Sequence, residues 1–576
     1  MTKLRLAAGL VLACVCCGVV GCVPPGEIDN TVLNRYSAAL AARGAQQRLG
    51  GRGLGLLQPV GAVGPMLKVV GDANGQAVAI HLSLKEAVLR AVANSLDVRV
   101  VSFDPEMSRE EMVKAAAAFD AVVFAGYDYS RADALASSVF AGTQRDTQVW
   151  SAGVRQFTPS GGAWSITYAM TRLWDNSAFS AMPITYEPTL VLEVSQPLLR
   201  DAWPEFNLAN LRIARTNRKV SEAQFRAKLE ETVANVISGY WALWEARQEA
   251  PIRRKLLAET RKTLQKVRAR QEIDAGAAQI RQAEAAVKQR ELLLDFAIKA
   301  AQDAQDNLLR LLADPQLNLV SGYQVVPVSP PAQSPLELDL TDQLLAALEH
   351  SPTMEQARLA VALADINVKV AVNQTLPRLD LTGSVGYQGL GPKVHEAGEK
   401  FWTLDYLSYG IGVSFEYPLG NRERRAELRR TRLSRLQAVA QMQNTADQIA
   451  LAVKERVREI GRAFRETELQ RAVVKAKTLE LQAIEDIERI RGRLTPEFLN
   501  LKLSTQGQLA DAEIAELAAI QNYNLAVAQL AQVTGTILKQ YSVQVVLSAA
   551  VGAAAWPYAP AQPATKPVGP GAGRGR

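Results

Sequence analysis

Residues able to ligate a metal or act as nucleophiles are few in this 576-residue chain, and their spacing is uneven. All four cysteines, Cys14, Cys16, Cys17 and Cys22, lie at the extreme N-terminus. The three histidines, His81, His350 and His395, are far apart with no cysteine beside them, so no metal-ligand pattern is present. No G-x-x-x-x-G-K-[ST] or G-x-G-x-x-G falls in a strand-to-helix context, which leaves nothing to cradle a nucleotide phosphate. The carboxylates follow helical charge patterns, where solvated or paired faces account for them. No enzymatic activity, metal or cofactor is expected. An enzyme would need a cluster of titratable groups in a pocket, and the sequence suggests none.

Chemistry at Cys22 is of another kind. Lys3 and Arg5 precede an apolar run from Leu6 to Val20, the layout of a signal peptide. The run closes on Val19-Val20-Gly21-Cys22, which resembles a bacterial lipobox and predicts cleavage with acylation of Cys22 as the first mature residue. Val23 in place of an aspartate favours transfer to the outer membrane in lipoproteins of this type. A simple signal peptide or an uncleaved anchor is the alternative, although the run is short for a membrane span. Beyond it no stretch has eighteen consecutive apolar residues, so further membrane contact must come from strands.

The formal charge of +7 is modest, and Lys and Arg are interspersed with Glu and Asp, which does not read as a nucleic-acid footprint. The chain is too long for one compact core and predicts several domains or an elongated repeat. A repeat is visible. "LSLKEAVLRAVANSLDVRV" from Leu82 resembles "LDLTDQLLAALEHSPTMEQA" from Leu338, and Pro197 and Gly276 have counterparts in Pro418 and Gly492. The expected organisation is a signal with lipobox (1–22), an extended N-terminal segment (23–81), a first repeat (82–316), an equatorial link (317–340), a second repeat (341–538) and a C-terminal segment with a Pro/Gly/Ala tail (539–576).

Between each proline and loop glycine the pattern is helical. Phe225, Leu229, Val233, Val236, Tyr240 and Trp244 fall at spacings of three and four, as do Ile449, Val453, Val457, Ile460 and Phe464. A further helix is expected over Thr341 to Leu376. The return helices start after Gly276 and Gly492, giving long antiparallel hairpins whose apolar stripes need coiled-coil-like partners.

Strands are expected at about 120–197 and about 378–417. Leu407, Tyr409, Ile411, Val413, Phe415 and Tyr417 share one face, with Ser408, Gly410, Gly412, Ser414 and Glu416 on the other. Leu379, Leu381, Val385 and Tyr387 alternate likewise, as do Leu190, Leu192 and Val194, and Ala121, Val123, Ala125, Tyr127 and Tyr129. Such alternation fits a strand between lipid and a watery lumen, or a half-buried soluble hairpin. Two more candidates, Thr147–Phe157 and Ala163–Leu173, either lengthen the wall or form an outward hairpin. In a bilayer, unpaired sheet edges would cost several kcal/mol per group, so the membrane reading requires other copies to close the wall.

Seven stretches in order, "LSLKEAVLRAVANS", "FDAVVFAGYDYS", "VSQPLLRDAW", "GYWALWEAR", "LPRLDLTGSVGY", "FEYPLGNRERRAELRRTRL" and "QNYNLAVAQLAQVTGTIL", resemble the TolC family of outer-membrane channel proteins, from about Leu82 to Leu538. The resemblance implies a mainly α fold with a membrane β-barrel section: a homotrimer with a shared twelve-stranded barrel, a long periplasmic α-barrel and an equatorial belt. It implies a passive exit duct of a tripartite efflux or type I secretion system, partnered by a periplasmic adaptor and an inner-membrane transporter. By matching position, the adaptor-docking tips fall at Gly276, Gly492, Arg493, Leu494 and Thr495, and Pro197 and Pro418 mark barrel-to-helix junctions, where a proline ends a ladder and suits a helix start. The run Arg422, Arg424, Arg425, Arg429 and Arg430 is expected to be mainly a solvated helix face just below the bilayer, and Glu497, Asp511 and Glu513 are carboxylates near the tip without a clean gate pattern. A lipid-tethered periplasmic coiled-coil adaptor or scaffold is the competing expectation, separated from the first by whether paired, lipid-length strands exist.

Overall fold

The computed structural model describes residues 68–70, 79–133, 135, 142–177, 180–270, 276–314, 317, 323–491 and 495–543. The expectations for the signal peptide and Cys22, for Gly492, Arg493 and Leu494, and for the C-terminal tail lie outside these residues.

Two sheets and two long helical hairpins make up the described chain. The smaller sheet joins β1 (Lys68–Val70), β2 (Ala79–Leu82) and β7 (Gln324–Pro327), antiparallel then parallel. Ser83 leaves β2 and caps α1 (Leu84–Asn94) in a reciprocal capping box with Glu86, which satisfies two orphan helix-start donors. The short α2 (Leu96–Val101) and α3 (Phe103–Ala116) follow.

The larger sheet takes β3 (Val122–Asp133), β4 (Gln144–Phe157), β5 (Ala163–Asp175) and β6 (Ile184–Pro197) in sequence, then β8 (Arg378–Gln388) and β9 (Leu407–Glu416), with α9 (Val394–Trp402) in the loop between the last two. Every pairing is antiparallel. One chain therefore supplies six strands, where a twelve-stranded wall built by three copies would take four.

After β6 and the single turn α4 (Pro204–Asn207) comes α5 (Ala209–Ala269), of 61 residues, which returns through α6 (Ala277–Leu312). α10 (Arg422–Arg491), of 70 residues, returns through α11 (Pro496–Val533), and α12 (Ile537–Gln540) ends the described chain. At about 1.5 Å per residue, the two long helices run on the order of 90 to 105 Å. Among the described residues no helix is long and apolar enough to cross a membrane.

Both sequence stripes are core. Phe225, Leu229, Val233, Val236 and Tyr240 pack with Ile80, Leu82, Val88, Leu308, Leu312 and Val325, so α5, α6, α1 and the small sheet share one cluster, with Trp244 partly buried against it. The Tyr240 hydroxyl donates to the Leu82 carbonyl (3.0 Å) and accepts from the Ser329 N–H (2.9 Å), tying the helix to the sheet and the link. Ile449, Val453 and Ile460 meet Tyr523 and Ala526 of α11 in a second cluster. A third, at the far end of the stem, joins Val267 to Leu499 and Leu503.

The helix expected over Thr341–Leu376 is two: α7 (Leu340–His350) and α8 (Pro352–Gln374). Ser351 is extended (φ −64°, ψ 125°) because the ring of a following proline disfavours helical backbone, while that proline suits the first turn of the next helix. Gly535 (φ +68°) packs against the His350 carbonyl at this break, where a Cβ would collide.

Candidate functional site: an amphipathic sheet joined to a helical stem

The register of the six strands decides which side chains share a face. Val123 of β3 lies opposite Val154 of β4, which is opposite Ile166 of β5, then Leu192, Val385 and Tyr409. The next row on that face runs Ala125, Ala152, Tyr168, Leu190, Tyr387 and Leu407. One apolar surface thus crosses all six strands without a change of phase. Aromatic residues stand at both ends of that face: Trp164 and Phe415 near the stem, and toward the loops Tyr127, which packs on Trp150 with centroids 5.4 Å apart. Strands of 10 to 14 residues meet or exceed the roughly 9–11 that a tilted strand needs to cross a bilayer.

The opposite face is small and polar. It curls into a concave surface lined by residues from all six strands, among them Arg155, Ser165, Glu193, Ser195, Thr382 and Ser384. Gly412 belongs here: a Cβ would lie 2.8 Å from Thr382 Oγ1, so a larger residue would press into the neighbouring strand. Near the stem the bulkier side chains are held to the wall, with Phe157 stacked on Phe119 (5.8 Å) and the Arg155 guanidinium over the Phe124 ring (5.7 Å).

Among the described residues, both outer strands lack a neighbour on one side. Val123 on β3 is 78% exposed, and Tyr409 and Ile411 on β9 are 79% and 81% exposed. With an even number of alternating strands, β3 and β9 run in opposite directions, so one copy's β9 can pair antiparallel with another's β3.

The sheet meets the stem in a knot of hydrogen bonds. Pro197 ends β6, paired with Asp380, and Leu198 N–H and Arg200 N–H then donate to the carbonyls of Leu379 (2.8 Å) and Pro377 (3.1 Å). Asn373 accepts from the Asp201 N–H (2.8 Å) and donates to the Ala202 carbonyl (3.2 Å), while Asn421 donates to the Thr375 carbonyl (2.9 Å). Asp201 (φ +64°) and Trp203 (φ +77°) hold left-handed backbone, costly for non-glycine residues and sustained here by that network. Arg200, 4% exposed, sits 3.6 Å from both Asp201 and Glu416, and its Nη1 has no hydrogen-bond partner among the described residues.

The prolines singled out by sequence stand at these exits, but neither starts a helix. Pro204 occupies the first turn of α4, and Pro418 lies in the turn before Arg422, accepting from the Asn421 N–H (3.1 Å). Gly276 is the N-cap of α6 and Thr495 that of α11, where its hydroxyl accepts from the Phe498 N–H. Asp511 and Glu513 face α5, paired with Arg253 (3.0 Å) and Lys255 (3.1 Å), which makes them ties between hairpins. Within the basic run, Arg430 pairs with Glu427 (2.6 Å).

Three buried groups carried no sequence signal of their own. Arg290 of α6 is enclosed by α5 and α11, donating to Thr260 Oγ1, Gln506 Oε1 and the Leu503 carbonyl, and burial lowers its pKa to about 10. Arg90 pairs with Asp314 at 2.6 Å, both buried. Glu230, 3% exposed on α5, pairs with Arg226 (3.1 Å), yet burial outweighs that arginine and raises its pKa to about 7. Arg90, Arg290 and Glu230 lie within helical patterns, and only packing reveals them.

Together these features define a class: proteins whose membrane-type amphipathic sheet continues into a long helical stem. Residues 344–494 match the family model described as outer membrane efflux protein. Outer membrane efflux protein BepC of Brucella suis biovar 1 (strain 1330) is 24% identical over 330 residues, 57% of this chain and 68% of BepC. The Campylobacter jejuni CmeC outer membrane channel superposes with a TM-score of 0.57 at 15% identity, over 80% of this chain and 89% of that one. The outer membrane protein VceC of Vibrio cholerae gives 0.56 at 15%, over 78% and 96%. The family match covers residues 344–494, and the fold is similar to that of these outer membrane channels.

Proposed function

We propose that the chain is one subunit of a homotrimeric exit duct in the bacterial outer membrane, serving a tripartite efflux or type I secretion system. The observation that carries this reading is the six-stranded sheet, with one unbroken apolar face, a concave polar face and two unpaired, oppositely directed edges. An exposed edge is a liability that a neighbouring copy removes, and closing the ring puts the apolar face toward lipid and the polar face toward water. Leu433, Leu436, Leu451, Leu469 and Leu479, exposed along α10, supply apolar surface for the same neighbours in the stem. A periplasmic adaptor or scaffold would have no use for such a sheet.

In this reading the stem lies in the periplasm and conduction is passive. The two halves of the chain act as repeats, each sending strands into the wall and a hairpin into the stem. Cys22 carries a lipid anchor. The hairpin tips at Gly276 and at 492–495 meet the adaptor, which links the duct to an inner-membrane pump, and Pro197 and Pro418 mark the passage from wall to stem.

The test is fractionation. A Cys22→Ala variant given a non-lipid signal peptide is expected to remain with the outer membrane, held by its strands. Release into the soluble periplasm would overturn the barrel.

A further inference from the structure

The hairpin β4–β5 is the part of the sheet that a four-strand contribution does not contain. We infer that it forms part of the membrane wall, so that three copies close an eighteen-stranded barrel whose mouth admits hydrated solutes bulkier than a twelve-stranded wall would pass. This rests on the exit-duct reading above and adds the size class of the cargo at the outer-membrane end.

Three observations put the hairpin in the wall. Its strands are laddered to their neighbours along their whole length, from Val122 opposite Arg155 to Asp133 opposite Gln144 on one side, and from Ala163 opposite Ser195 to Trp174 opposite Ile184 on the other. A hairpin folded outward would break both ladders and leave their backbone groups unpaired in hydrocarbon, at several kcal/mol each. Its faces are also in phase with the rest: Trp150 and Ile166 continue the apolar surface, and Ser151 and Thr167 the polar one. Finally, its stem-side turn is fastened to the junction. The Trp203 N–H donates to the Ser160 carbonyl (3.0 Å), and Ser160 Oγ donates to Gln196 Oε1 (3.0 Å). Gly161 (φ +92°) lies against the Asp201 carbonyl, where a Cβ would collide.

Barrel diameter grows roughly linearly with strand number, so eighteen strands in place of twelve widen the mouth by about half. Of the hairpin's inward positions, Ser151, Gly153, Ser165, Thr167, Ala169 and Thr171 are small, while Arg155 and Phe157 lie against the wall near the stem, so the middle of the wall keeps that width. Eighteen strands is also the size at which barrels of this kind leave an aqueous channel.

Deleting residues 144–175 removes one complete hairpin and leaves β3 and β6 in antiparallel order, joined by the existing loops. In planar bilayers, with neutral polyethylene glycols of graded size added on the barrel side, the full-length channel should admit polymers that the deletion channel excludes, its cut-off radius falling by about a third. Equal cut-offs overturn the inference. A full-length chain that carries no current at all overturns the duct reading first, before any variant is compared. Should the deletion fail to assemble, the full-length chain still decides. In proteoliposomes, Thr167→Cys should react with a membrane-impermeant maleimide, while Ile166→Cys resists it and a fluorophore placed there is quenched by brominated lipid. Equal aqueous labelling at both positions would place the hairpin outside the wall.

Discussion

A buried carboxyl whose pKa is raised makes the stem sensitive to pH in a direction that can be worked out. Glu230 titrates at about 7 when folded, against 4.5 as the ordinary value, because burial outweighs the pairing with Arg226. The folded state therefore holds the proton more tightly, and stability falls as pH rises from about 4.5 through 7, by on the order of 3 kcal/mol for this group. The thermal midpoint of the purified protein should drop between pH 5 and 8, and Glu230→Gln, which keeps the shape without the charge, should flatten that drop. An unaltered pH profile in the variant would refute the assignment. The Arg90–Asp314 pair makes the opposite kind of prediction. Asp314→Ala leaves a guanidinium in the core and should cost about 3–5 kcal/mol, read as lost denaturant resistance, whereas Asp314→Glu should recover part of it.

At the scale of elements, the break between α7 and α8 and its contact with Gly535 fix how the second half of the chain packs on α10. Gly535 combines a left-handed backbone with a close approach to the His350 carbonyl. Gly535→Ala should lower stability by roughly 1–3 kcal/mol and, because the cost is local backbone strain, should leave helix content unchanged in far-ultraviolet circular dichroism. Long elements were legible in the sequence because their periods repeat many times. The stripe from Phe225 to Tyr240 needs no partner to be recognised, and the alternation from Leu407 to Phe415 is equally explicit. The break at Ser351 was also written there, in the proline that follows it, but the apolar periodicity ran straight across and overrode that signal. Pro197 is legible as punctuation, but the six residues of hydrogen-bonded linker, 198–203, that separate it from Pro204 are not, because linker geometry depends on Asn373, distant in the chain.

For the whole molecule the governing fact is unsatisfied surface: two free sheet edges, and leucines exposed along α10. If other copies cover them, Leu469→Glu with Leu479→Glu should shift the detergent-solubilised protein from trimer toward monomer, measured by native mass spectrometry. The isolated chain should keep its helix content, since neither residue is in the core. A trimer of undiminished stability would show that these leucines face something else.

By itself the sequence determined the kinds of element, their order and the faces they must bury, because apolar periodicity is a local property of the chain. The family resemblance was likewise carried by short local motifs. Whether β4 and β5 belong to the same sheet as β6 and β8 was a different matter: alternation reads the same in a wall strand and in an outward hairpin, and only the pairing of backbone groups distinguishes them. The ladder from β3 to β9 supplied that decision, and the burial of Glu230, Arg290 and Arg200 came with it, since desolvation is set by neighbours brought from far along the chain.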